Sequence, residues 1–231
     1  MRRFTHRLSN RSSWWRFSLN LVRFRRTSQR VILLQSSDYD YAPFLGITGD
    51  VNREYAERWN CGYTRFVGNA SPRPKTANFN RYYMLRQVAA RTDFEWALWM
   101  DADAIVVNPT VCPESIIDAS PDKLIIACRG RDTGPHDINN GVFFFNLRHR
   151  ETKRFLRYLI RVCRRVGSDN SSFHSDQRHV HDWLKTRRSP NGRISCVKRY
   201  TGPQYDKFNY GGPFIQHALR KSGTFPVSYT H

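Results

Sequence analysis

Short, continuous apolar runs alternate with amphipathic stretches along this chain. Arg30-Val31-Ile32-Leu33-Leu34-Gln35-Ser36 is a short apolar run ending in polar residues, the pattern of a buried parallel strand, with Ser36, Ser37 and Asp38 at the C-terminal end where α/β sheets bind ligands. A helix is expected next, capped by Asp50, with Tyr55, Ala56 and Trp59 on its apolar face and Gly62 as its stop. Tyr63–Val67 reads as a second strand, and Ser71-Pro72-Arg73-Pro74-Lys75 as a loop. Phe79, Tyr82, Leu85 and Ala89 then recur at helical spacing, which predicts a helix over about Asn78–Ala90. Further strands are expected from Trp96, over Lys123–Cys128 and over Val142–Phe145. Helices are expected over Glu151–Val166, with Phe155, Tyr158, Leu159, Val162 and Val166 inward, and after Ser175, with Val180, Trp183 and Leu184 inward. Strands and helices alternating in this order predict an α/β fold.

The strand that begins at Trp96 carries the chemistry. It runs Trp96-Ala97-Leu98-Trp99-Met100-Asp101-Ala102-Asp103-Ala104-Ile105-Val106-Val107 and closes at Asn108-Pro109. Were the backbone extended throughout, Asp101 and Asp103 would point to the same side. Two adjacent carboxylates in an apolar setting need a counter-charge, and a divalent cation that favours oxygen (magnesium, manganese or calcium) suits them. The competing reading makes Asp101 the opening of a turn; the apolar Ala104–Val107 that follows argues for a continuous strand.

Charge sharpens the picture. Lys and Arg number 38 against 19 Asp and Glu, a formal net charge of +19, so the chain is drawn to something anionic. Residues 1–30 hold nine arginines and no acid, interleaved with Trp14, Trp15, Phe17 and Phe24. Their longest uncharged run, Phe17–Val22, is too short to span a bilayer. Residues 1–29 are therefore set apart as a basic arm. It reads as a disordered tail, a targeting segment, an interfacial helix or a stub beside an anchor, and residues 30–231 as one domain. The five cysteines are scattered without a C-x-x-C, which gives no support to a zinc site and no framework of disulfides.

Other polar positions are ambivalent on pattern alone. Arg81 and Arg86 lie roughly 140° apart around their helix, so one can face a ligand while the other is solvated. Asn140-Gly141 is by itself a turn dipeptide, and Asp176 in the first turn of its helix suits the helix dipole. His174, His179 and His181 read as surface residues, and spacing does not single out His217. Lys153, Arg154, Arg157, Arg161, Arg164 and Arg165 make one face of their helix basic, either a solvated face or a patch for a polyanion or membrane surface.

The order of these pieces resembles the GT-A type nucleotide-sugar glycosyltransferases, and most closely the family 34 galactosyl-, mannosyl- and xylosyltransferases. The elements are a basic residue on a helix, then Trp-Met-Asp-Ala-Asp-Ala, Ile-Asn-Asn-Gly-Val-Phe, Ser-Asp-Gln and Pro-Phe-Ile-Gln-His, spread from Arg30 to His217. The resemblance implies a Rossmann-like GT-A domain with a mixed, mostly parallel sheet flanked by helices. It makes Asp101, Asp103 and His217 the ligands of manganese (or magnesium). It places Arg81, Arg86, Asn139, Asn140 and Gly141 at the donor, and Asp176 and Gln177 at the reaction centre. The implied activity moves a hexose or pentose, with retention, from a UDP- or GDP-sugar to a glycan or glycoprotein acceptor, in the Golgi lumen at a membrane. Where the family has a glycine soon after its His, this chain has Ala218 and reaches glycine at Gly223, and the N-terminal anchor of a Golgi enzyme is not recognisable. Two other classes stand beside this one: an inactive sugar-nucleotide binder and a basic nucleic-acid-binding protein. Concentration of arginine on a tail and a helix back, without an RNA-binding signature, argues against nucleic acid.

Overall fold

A computed structural model describes residues 29–71, 76–130, 134, 136–165, 176–187, 196–200 and 212–217. The expectations for the arm up to residue 28, the 72–75 loop, Val166, His174, Ser175 and the stretch after His217 fall outside them. The chain is α/β. Its six-stranded sheet runs β2 (Gly62–Val67), β1 (Val31–Ser37), β3 (Trp96–Asp101), β6 (Ile138–Asn146), β5 (Ile125–Arg129), β7 (Val197–Tyr200). Pairing is parallel except where β6 meets β3 and β5, so β6 alone in this sheet runs against the rest. A second ribbon pairs β4 (Ala104–Val106) antiparallel with β8 (Ile215–His217).

The apolar runs behave as strands buried on both faces should. Side chains alternate along each strand, so Ile32, Leu34, Ala97, Trp99, Phe143 and Phe145 face one core. Helices α2 (Asn80–Arg91), α4 (Thr152–Arg165) and α5 (Asp176–Lys185) cover that side with Tyr82, Leu85, Phe155, Leu159, Val180 and Trp183. Val31, Leu33, Leu98, Met100, Val142 and Phe144 face the other core, under α1 (Ala42–Arg58), α3 (Pro113–Asp118) and the β4–β8 ribbon. Phe144, Phe145 and Phe155 are all but inaccessible; truncating any of them to alanine costs about 3–5 kcal/mol.

Three expectations change. The helix expected at Asp50 begins eight residues earlier, at Ala42, with Pro43 in its first turn. Asn140-Gly141 is not a turn but lies inside β6, buried throughout its length. The strand from Trp96 stops at Asp101: Ala102 and Asp103 form a turn, and the apolar residues beyond it start the separate strand β4. The short elements α3, β7 and β8 were not predicted. None of the five cysteines forms a disulfide, and no described helix is long and apolar enough to cross a membrane.

Candidate active site

β3 and β1 end side by side, Ser36 opposite Asp101, at the C-terminal edge of the parallel strands where α/β sheets place ligands. The backbone turns there, and a polar clamp fixes the turn. Thr48 on α1 donates to the Ala102 carbonyl at 2.7 Å. Asn52, one turn further along, donates to Ala104 O and accepts from Val106 N–H, both at 2.9 Å. Gln35 on β1 donates to the Asp101 carbonyl at 3.3 Å while its own oxygen accepts from the Tyr63 hydroxyl. Gln35, Thr48 and Asn52 are wholly buried, so leaving the turn's backbone groups unpaired would cost about 1–3 kcal/mol each.

The turn delivers both carboxylates to one place, and the ribbon delivers a third group. Ala104 on β4 pairs with His217 on β8, which brings the imidazole to Asp103 across 114 positions of sequence. Ligand atoms of Asp101, Asp103 and His217 all lie within 4.8 Å of one another. His217 Nε2 is 2.9 Å from Asp103 Oδ1 and 3.8 Å from Asp101 Oδ2. Its Nδ1 is buried and without a partner among the described residues.

Gly141 on β6 makes this approach sterically feasible. A Cβ there would stand 2.9 Å from His217 Nδ1, nearer still to its Cε1, and 3.0 Å from Asp101 Oδ2. The requirement is space rather than an unusual backbone angle. Asn139 Oδ1 accepts from the Gly141 N–H at 2.7 Å, which pins the backbone at that point.

Arg81 anchors the other side. It rises from the first turn of α2, buried, with Nη2 2.9 Å from Asp101 Oδ1 and its guanidinium 5.2 Å from the Trp99 ring centroid. Nε donates to Asn78 O at 3.0 Å, and Nη1 donates to the Asn140 carbonyl. Trp99 Nε1 also donates to Asp101 Oδ1 at 3.0 Å, as a residue two back on the same strand face can. Asp176 does sit in the first turn of α5, where an acid suits the helix dipole, but it is also part of this cluster. It is buried, 3.4 Å from Arg81, and accepts from the Tyr82 hydroxyl and Asn140 Nδ2 at 2.8 Å and from Asn78 Nδ2 at 3.1 Å. Gln177 follows it, half-buried, in the first turn of α5.

Arg81, Asp101, Asp103, Asn139, Asn140, Gly141, Asp176 and His217 thus form one contiguous constellation. Arg86 does not join it: it is exposed on the far side of α2 and lies against Tyr83. His181 is no plain surface residue either, since its Nε2 lies 3.0 Å from the Ile138 carbonyl and 3.5 Å from Asp137. Sequence reasoning missed Gln35, Thr48, Asn52, Asn78, Tyr82 and Trp99. Among these, the i−2 position of Trp99 relative to Asp101 was the one signal available.

Electrostatics at the site are unbalanced. Three carboxylates face one guanidinium, which leaves two negative charges in surplus if the imidazole is neutral. Burial raises the Asp101 pKa, only partly opposed by Arg81 and His217. For Arg81, burial works against the charge, but Asp101 and Asp176 more than offset it and the pKa is raised. His217 behaves likewise: burial lowers it, while the hydrogen bond to Asp103 and the charge of Asp101 bring it out above the ordinary value. A divalent cation fits this environment. The donor set is two carboxylates and an imidazole, the charge it would cancel is present, and the absence of a side chain at Gly141 lets His217 and Asp101 come together.

No family model and no curated protein matches the sequence. Solved structures do resemble the fold. A glycosyltransferase involved in the glycosylation of the major capsid of PBCV-1 is similar with a TM-score of 0.60 at 19% identity, over 84% of this chain and 94% of that one. Glycosyltransferase GlyE of Streptococcus pneumoniae TIGR4 scores 0.49 at 13% identity, over 79% of this chain and 47% of that chain. Galactosyltransferase LgtC, in complex with donor and acceptor sugar analogs, scores 0.49 at 12% identity over 77% and 74%. The fold of this chain is that of the GT-A glycosyltransferases, and it carries an Asp-Asp-His cluster able to hold a metal ion.

Proposed function

We propose that this chain is a metal-dependent glycosyltransferase that takes a hexose or pentose from a UDP- or GDP-sugar and passes it to a glycan acceptor with retention. One observation carries the proposal: Asp101, Asp103 and His217 converge within 4.8 Å at the ligand edge of a GT-A sheet. Asp101, Asp103 and His217 would hold manganese or magnesium. When bound, such an ion supplies Lewis-acid stabilisation for the diphosphate leaving group.

The surrounding residues then have distinct duties. Arg81 spends hydrogen bonds on Asn78, Asn140 and Asp101, so it fixes Asp101 and the strand mouth in place. Its fixed positive charge also offsets part of the charge that grows on the departing diphosphate. Asn139, Asn140 and Gly141 line the opening of β6, where the donor sugar is proposed to lie. Asp176 already accepts hydrogen bonds from three side chains and pairs with Arg81, which disfavours it as a free nucleophile and supports a positioning role. Burial and the neighbouring Asp176 hold the Tyr82 phenol well above its ordinary pKa, so it remains a hydrogen-bond donor to that carboxylate. Gln177, an amide, is assigned to orienting the sugar.

A panel of UDP- and GDP-sugars, screened for thermal stabilisation with and without manganese, tests the reading. The expected result is a rise in Tm for one nucleoside class that requires the metal, followed by release of the nucleoside diphosphate. Absence of any metal-dependent stabilisation across the panel would overturn it.

A further inference from the structure

A second feature lies at the opposite end of the sheet. Asn146, the last residue of β6, pairs with Trp96 at the start of β3, whereas the carboxylates sit at the other end of β3, roughly 16 Å along the strand. Beyond Asn146, the β6–α4 connection, the outer face of α4 and the C-terminal half of α2 enclose a groove of about 930 Å³. Lys153, Arg157, Arg161 and Arg164 line one wall as an exposed row along α4, spanning roughly 16 Å of helix. Arg86, Arg148 and Arg150 face them from the other elements. No acid lines the groove, and none of these seven cations has a carboxylate within ion-pair distance among the described residues. The neighbouring Glu151 meets Arg187 instead, at 3.8 Å.

The geometry points to a docking site for an extended acidic peptide segment of a partner protein. Three features select that class. The cationic row lies in a concave groove, which admits a chain and excludes a flat bilayer surface. Its described lining carries a single ring, the part-buried His149 imidazole, not the succession of rings on which bases would stack, and Leu147, Leu156 and Ile160 at its floor are all but buried. Finally, Lys153, Arg157 and Arg161 rise about 6 Å from one to the next, and alternate side chains of an extended peptide recur about every 6.6 Å. Carboxylates on alternate residues therefore meet the row, while the side chains between them point away from it.

Fluorescence anisotropy with the full chain tests this independently of any transferase activity. The probe is a short labelled peptide alternating Glu and Val, compared with an isomer of the same composition whose Glu residues form one block. The alternating peptide is expected to bind more tightly, and K153E/R157E/R161E to weaken it about tenfold with a shallower salt dependence. The alanine triple K153A/R157A/R161A gives a smaller loss in the same direction, which keeps the test valid if charge reversal disturbs folding. R7E/R11E/R16E in the arm changes net charge equally and is expected to leave the affinity nearly unchanged. An equal loss in the arm variant, or equal affinity for the two isomers, overturns the proposal. So does tighter groove-dependent binding of an oligothymidylate or of phosphatidylserine vesicles.

Discussion

Gly141→Ala is the sharpest small perturbation this site offers. The added methyl would stand 2.9 Å from His217 Nδ1 and 3.0 Å from Asp101 Oδ2, tighter than real Cβ contacts tolerate, and closer still to the imidazole Cε1. Neither neighbour yields easily. The His217 backbone is paired to Ala104, and Asp101 is held by Arg81 and Trp99. Overpacking of this kind costs about 1–3 kcal/mol of stability. The larger effect falls on the metal, because the ring must tilt away from the carboxylates; a loss of about 10- to 100-fold in manganese affinity is expected, as for changes that misorient a ligand. Manganese titration followed by Tm and by calorimetry reads both quantities. His217→Ala supplies the control: in that background Gly141→Ala should cost much less further in metal affinity, since its tightest contacts are with that ring and only the contact with Asp101 Oδ2 remains. Manganese binding by Gly141→Ala equal to wild type would refute the reasoning, and so would full additivity in the double variant.

Other consequences follow from the same contacts. Asn52→Leu leaves Ala104 O and Val106 N–H without their side-chain partner and should cost about 1–3 kcal/mol in urea unfolding; a loss within error would remove Asn52 from the clamp. Arg81→Met strips the guanidinium from the buried Asp176 and the partly exposed Asp101 and should cost about 3–5 kcal/mol, and a loss below about 1 kcal/mol would contradict the pairing. His217 and Asp101 both have folded pKa values raised above their ordinary 6.5 and 3.8. Their contribution to metal-free stability is therefore present below those values and lost as pH rises through the raised ones. Saturating manganese should reverse that trend, since the ion takes the deprotonated ligands. Tm measured against pH with and without manganese checks it, and parallel curves would count against the ligand assignment.

Much of the sheet was legible because strands buried on both faces carry short continuous apolar runs, as Val31–Leu34 in β1, Trp96–Met100 in β3, Ile125–Cys128 in β5 and Val142–Phe145 in β6 do. The paired acids stood out for the same reason, as charges at the end of such a run. Two features were hidden. α1 buries Thr48 and Asn52 and exposes Phe44 and Ile47, the reverse of the pattern that marks a helix face. Those buried polar groups grip the carboxylate turn, so function erased the periodicity. His217 depends on a three-residue strand that becomes a strand by pairing with another three-residue strand over 100 positions away, and no local pattern encodes that. Its place was anticipated by resemblance, not by spacing. The continuation of apolar residues past Asp103 was misleading, because it came from β4 joining the ribbon rather than from β3 going on.

The central claim is that Asp101, Asp103 and His217 hold a divalent ion against a nucleotide diphosphate. Calorimetric titration of UDP and GDP into wild type and Asp103→Asn, each with and without manganese, addresses it most directly. The account predicts manganese-dependent binding of one nucleotide by wild type and none by Asp103→Asn, with the Tm of the metal-free variant close to that of wild type. Equal nucleotide affinity in the two proteins, or binding by wild type that ignores manganese, would contradict it.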